Sequence, residues 1–169
     1  GVEAIVDFVQ TMDVDDVREI VQRQVGYNYA IAQEGMRGDW GANIGKVLRD
    51  HYGDDIKIRA RYMAAAGSDA RMSGCEMPVI IVSGSGNQGM TASVPVIEYA
   101  KELGVDHDTM LRAVTLSDLL TIHMKTGIGR LSAYCGAVSA GCAAGAAIAW
   151  LNGGGFEEIA HTLVNALAT

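Results

Sequence analysis

Large aromatic side chains are almost missing from this chain: two phenylalanines and two tryptophans serve 169 residues. A core without them must close through helix contacts made by alanine, glycine, methionine and valine. Proline is as scarce, with two residues against 21 glycines. Cys75, Cys135 and Cys142 are an odd number of cysteines with no CxxC pair, which argues against a disulfide framework and against a zinc ribbon. Basic residues are outnumbered 13 to 20, for a net charge of −7; that balance repels a phosphate backbone and speaks against nucleic acid as a partner. No apolar run attains the roughly 18 residues that a membrane-crossing helix needs. The most apolar stretch, residues 136–151, is alanine and glycine rather than leucine and phenylalanine. The amino end, Gly1-Val2-Glu3-Ala4-Ile5, lacks the basic flank of a secretory signal, so the cytoplasm is the expected compartment.

What the sequence holds in quantity is helical periodicity. The length suits one compact domain, residues 1–169. Residues 3–11 and 14–36 read as helices, the second opening after the N-cap Asp13, carrying Val17, Ile20, Val21, Gln24 and Val25 on one face, and stopped by Gly35 and Gly38. Helices follow over 41–52, closed by Gly53, and over 54–71, with Ile56, Ala60, Met63 and Ala64 on one face. Residues 77–82, Met-Pro-Val-Ile-Ile-Val, form a short β-favouring run. Helices resume over 90–103, over 106–125 with Met110, Leu111, Val114, Leu119 and Ile122 as the buried stripe, over 130–151, and over 156–169. The helix over 130–151 is so rich in small residues that neighbouring backbones can approach it closely, which makes it the expected central element. The fold class is therefore all-α: a compact multi-helix domain with a buried Ala/Gly-rich helix and one short extended segment before a glycine-rich loop.

That loop is Ser83-Gly84-Ser85-Gly86-Asn87-Gln88-Gly89, and it runs into a helix whose first turn holds Thr91. Glycine lets the backbone come close to a ligand, and a helix start leaves its first N–H groups unpaired. The expectation is an anion cradle in which amides and the hydroxyls of Ser83, Ser85 and Thr91 hold a small carboxylate or phosphate, with Asn87 orienting a second polar group. A plain surface turn is the alternative. No Gly-Lys-Ser/Thr follows, so the loop is not a P-loop. His123 and Lys125, near the end of their helix, are candidates for proton transfer, or simply basic residues at a helix C-terminus. Cys135 and Cys142, seven apart, lie about two turns from each other if helical, too far for one metal. Read by spacing alone, all three cysteines are buried core residues.

Taken together, Ser68-Asp69-Ala70-Arg71, then Met77-Pro78 leading into residues 83–89, then Arg130-Leu131-Ser132-Ala133-Tyr134-Cys135, resemble the L-cysteine desulfidase family, a group related to the α-domain of iron-sulfur L-serine dehydratases. The likeness runs from Trp40-Gly41 and Ile44-Gly45 to the last helix. It implies a [4Fe-4S] cluster held by three cysteines, with one iron open to act as a Lewis acid on the leaving group of an amino acid. Loss of sulfide or water would give an enamine that hydrolyses to pyruvate and ammonia. The resemblance puts a cluster ligand at Cys135 and the substrate carboxylate at residues 83–89, and leaves Cys75 and Cys142 as core residues. It puts the other two ligands outside residues 1–169, so the chain is expected to be a fragment, inactive and without a cluster on its own. The expected partner is a small amino-acid substrate; a severed domain would also expose apolar surface that can pair two copies as a homodimer. Two other readings stay open: an L-serine dehydratase-type elimination, and a cluster-free domain that binds a small anion.

Overall fold

The computed structural model describes residues 1–129 and 134–169. The helices are α1 (Val2–Thr11), α2 (Arg18–Arg37), α3 (Ile44–Tyr52), α4 (Ile56–Met72), α5 (Gly86–Leu103), α6 (His107–Thr126), α7 (Gly136–Leu151) and α8 (Phe156–Leu167). A single 3₁₀ turn, Val14–Asp16, stands between α1 and α2. Among the described residues there is no strand, and no helix is long and apolar enough to cross a membrane.

Short acidic residues start several helices by accepting a backbone hydrogen bond: Asp13 from Asp15, Asp55 from Ile58 and Asp106 from Thr109. Helix α5 lies at the centre, against α2, α4, α6 and α7, while α7 packs among α5, α6 and α8. The core divides accordingly. One cluster joins α1, α2, α5, α6, α7 and α8 around Val96, Ile97, Leu111, Leu116 and Ile159. The other joins α2, α4 and α5 around Ile31, Met63, Met90 and Val94.

Small residues set the spacing, as the scarcity of aromatics requires. A Cβ at Gly35 of α2 would overlap the Ala66 carbonyl of α4, and one at Gly45 of α3 would lie 2.6 Å from the Tyr62 carbonyl oxygen. Gly35 is therefore a packing residue within α2, and Gly38 alone caps it. Helices α5 and α7 run parallel: Gly136 faces Gln88, Gly141 faces Thr91, and Gly141 to Ile148 continue beside Pro95 and Tyr99. The amino ends of α5 and α7 thus stand side by side.

Three expectations need correction. Helix α5 begins at Gly86, not at residue 90, so half of the glycine-rich motif is helix rather than loop. Helix α7 begins at Gly136 with Cys135 as its N-cap; the portion assigned to residues 130–133 lies outside the described residues. Ile20 and Ile122 are 70% and 42% exposed. The buried line of α2 is Val21, Gln24, Asn28, Ile31, Ala32 and Gly35, and Ile20 stands one position off it.

Two buried polar links tie these helices. Glu98 of α5, 4% exposed, accepts from Arg59 Nε of α4 at 3.1 Å and from the Tyr29 hydroxyl of α2 at 2.7 Å. Asp118 of α6 accepts from Gln24 Nε2 of α2 at 2.9 Å. Burial pushes the Asp118 carboxyl up to about 7, against the smaller opposing effect of the Gln24 hydrogen bond. A carboxyl raised in the folded state contributes its stability in full below the unfolded value, and loses it as pH climbs through the folded one. Melting temperatures of the protein and of Asp118→Asn across pH 4 to 8 should therefore diverge, the variant gaining on the parent as pH climbs from about 4 towards about 7 and keeping a constant lead above it. Parallel curves would show that Asp118 titrates normally.

Candidate functional site

The glycine-rich segment is held in place by a residue far away in sequence. Asn28 of α2 is fully buried. Its Oδ1 accepts from the Ile80 N–H at 2.9 Å, and its Nδ2 donates towards the Ile80 carbonyl, the Gly89 carbonyl and Ser93 Oγ at 3.0, 3.2 and 3.1 Å. One amide thereby satisfies the backbone of an extended segment that has no neighbouring strand. Gly89 completes the fit, because a Cβ there would overlap the Ile80 carbonyl oxygen.

The turn itself is built by Gln88, also fully buried. Its Oε1 accepts from the Ser83 N–H at 2.9 Å and its Nε2 donates to Ser83 Oγ at 3.2 Å. Ser85 is the N-cap of α5, its Oγ accepting from the Gln88 N–H at 3.3 Å. The Gly89 N–H donates to the Ser85 carbonyl, and the Thr91 hydroxyl to the Asn87 carbonyl at 2.9 Å. Gln88, Gly89 and Thr91 are thus committed to the scaffold. What remains open is narrower than the motif: among the described residues, the N–H groups of Gly84, Ser85, Gly86 and Asn87 have no acceptor. The hydroxyl protons of Ser83 and Ser85 and the Nδ2 of Asn87 are likewise uncommitted.

Two cations flank this helix start. Arg71, at the end of α4, donates from Nη1 to Asn87 Oδ1 at 3.2 Å, and its guanidinium occupies the space that a side chain at Gly86 would fill. On the other side, Lys125 Nζ lies 2.8 Å from the position of a Cβ on Gly84. Lys125 lines a cleft of about 250 Å³ together with Val82, Ser83, Ile122, Thr126 and Gly129. His123, the other basic residue singled out on α6, is exposed. Two residues along a helix is a rotation of roughly 200°, so His123 and Lys125 face opposite ways.

The sulfur atoms are dispersed. Cys135 is exposed at the start of α7, one residue before Gly136, whose Cβ position is 3.4 Å from the Gln88 side chain. Cys142 is buried in the larger core cluster, where burial raises its thiol above the usual range, and Cys75 packs at the edge of the smaller one. No three His, Cys, Asp or Glu side chains among the described residues are grouped to hold a metal. A [4Fe-4S] cluster needs several thiolates around one point, and here Cys135 alone stands beside the turn. The described residues do not fit such a cluster on their own.

Other residues of the resemblance have structural duties. Asp69 Oδ2 accepts from the Ile44 N–H at 2.7 Å and so caps α3, while the Trp40 indole donates to Glu34 at 3.2 Å. Sequence reasoning missed Asn28; an asparagine on the apolar line of an amphipathic helix was the available signal.

Comparison with known proteins gives the context. The family model described as the serine dehydratase alpha chain matches residues 4–169. The chain is 61% identical over 168 residues to a "UPF0597 protein" of Desulfitobacterium hafniense, covering 99% of this chain and 39% of that protein. It is 58% identical to one of Lachnoclostridium phytofermentans, covering 99% and 40%, and 48% identical to one of Fusobacterium nucleatum, covering 99% and 40%. The chain therefore spans about two fifths of the length of these relatives. No solved structure matches it.

Replacing Gln88 by Leu keeps the volume but strands the Ser83 N–H and hydroxyl. The expected cost is about 1–3 kcal/mol, read by thermal denaturation. Hydrogen exchange at the Ser83 amide should quicken in the same variant, whereas unchanged exchange would mean that Gln88 does not hold the turn.

Proposed function

Because the chain belongs to the serine dehydratase alpha chain family, we propose that it is the part of a lyase that receives the carboxylate of a small amino acid at the start of α5. The observation that carries this reading is the set of four unpaired N–H groups at residues 84–87, at the positive end of an 18-residue helix and between two cations. Preorganised donors of this kind cost no rearrangement when the anion arrives. The whole reaction of the proposed parent is β-elimination: L-cysteine and water give pyruvate, ammonia and hydrogen sulfide. L-serine would give pyruvate and ammonia, with water as the leaving group.

The residues of this chain bind and orient the substrate. Ser83, Ser85 and Asn87 supply side-chain donors beside the open amides, and Gln88 with Asn28 keeps those amides aimed. Gly84 and Gly86 leave room for Lys125 and Arg71 beside those amides. Exposed Cys135 stands where the neighbouring α7 meets the turn. In the whole protein it would be the one sulfur ligand that this chain contributes to an iron-sulfur cluster, the remaining ligands coming from elsewhere. A cluster-free anion-binding domain accounts for the turn equally well but gives the exposed thiol no task.

The two are separated in the full-length parent, reconstituted anaerobically with iron and sulfide. The expected result is pyruvate release from L-cysteine or L-serine, and loss of both bound iron and turnover in Cys135→Ser. Retained iron and turnover in that variant would remove Cys135 from the site; a parent that binds small carboxylates but never releases pyruvate would favour the binding domain.

A further inference from the structure

Lys125 is the least explained charge among the described residues. It is 8% exposed, and no carboxylate, carbonyl or hydroxyl of the described residues accepts a hydrogen bond from its ammonium; since no side-chain nitrogen cut off from solvent is left without a partner, the ammonium tip meets solvent at the small cleft that Lys125 lines. Buried lysines are ordinarily paired, since desolvating a charge without a partner is costly. The side chain is directed at Gly84, where a Cβ would come within 2.8 Å of Nζ, and it lines the small cleft beside Ser83. The same place already concentrates positive potential. The amino end of α5 is there, the amino end of α7 adjoins it at Gln88 and Gly136, and Arg71 lies against Gly86 with its Nη1 on Asn87. Neither Arg71 nor Lys125 forms an ion pair with a described carboxylate. In a protein of net charge −7, acidic partners are plentiful, so this grouping is a deficit of one anion at one spot.

We infer that Lys125 is the counter-charge for the ligand's carboxylate, its ammonium anchoring the anion against the amides of residues 84–87, and not the base that removes a proton. The inference rests on the proposed substrate-binding reading and makes it specific: the charge complement comes from α6, 41 positions after the motif that supplies the amides. Gly84 is then required not for a turn but for contact, because any side chain there would stand between the ammonium and the backbone donors.

Pyruvate is a suitable probe, since binding it involves no proton transfer; a lysine serving only as a base would leave its affinity unchanged. Titrating the 169-residue protein with pyruvate should shift the amide signals of Gly84, Ser85, Gly86 and Asn87 saturably, and the Lys125 ammonium signal with the same dissociation constant. L-Alanine should act on the same signals and L-alaninamide, which has no carboxylate, should not. In Lys125→Met the pyruvate affinity should fall at least tenfold, while the variant without ligand melts no lower than the parent, because no protein acceptor loses a donor. Equal affinity in the variant would overturn the role of Lys125 and leave the turn as the binding site. Absence of any response at residues 84–87 would overturn the binding reading beneath it. Should Lys125→Met not fold, a Lys125 ammonium signal in the parent that stays still at saturating pyruvate would overturn the inference by itself.

Discussion

The arrangement of the site depends on the amide of Asn28. A stretch of extended chain with no strand beside it has backbone groups that need partners, and burying them unpaired costs about 1–3 kcal/mol each. Asn28 meets both groups of Ile80 with one side chain and also reaches Gly89 on α5. The segment before the turn and the helix after it are thereby fixed to α2 at one point. Gln88 then closes the turn over that anchor, and the N–H groups of residues 84–87 meet no acceptor among the described residues.

Much of the architecture could be read from residue order. The N-cap at Asp13, the stop at Gly53 and the small-residue helix follow local chemistry, which acts over a few positions and leaves a local imprint. The site was legible only where it is local too. The glycine-rich motif announced open amides, but not which of them would stay open, because that depends on where Gln88 points. Thr91 and Gln88 looked like ligand contacts and are spent on Asn87 and Ser83. His123 and Lys125 looked alike in sequence; helical rotation separates them, and only Lys125 meets the cleft. Asn28 gave little warning, since its partners lie 52 to 65 positions away.

Charge is distributed with equal economy. The chain carries a net charge of −7, and several of its described cations pair with carboxylates along or between helices, as in Arg18 with Asp15 and Asp108 or Arg23 with Glu19. Exposed pairs of that type contribute little stability. Their consequence for function is indirect: they leave the start of α5 as a place where positive potential is not cancelled by the chain's own carboxylates, and a low local dielectric makes that potential felt by a small anion.

Gly86 and Gly89 are each dictated by a neighbour: the Arg71 guanidinium and the Ile80 carbonyl. They are conditions for folding before they are conditions for chemistry. A protein that had lost its reactive groups altogether would still need both in order to assemble, so their presence testifies to shared carpentry, and two bearers of them can differ in whether they catalyse anything.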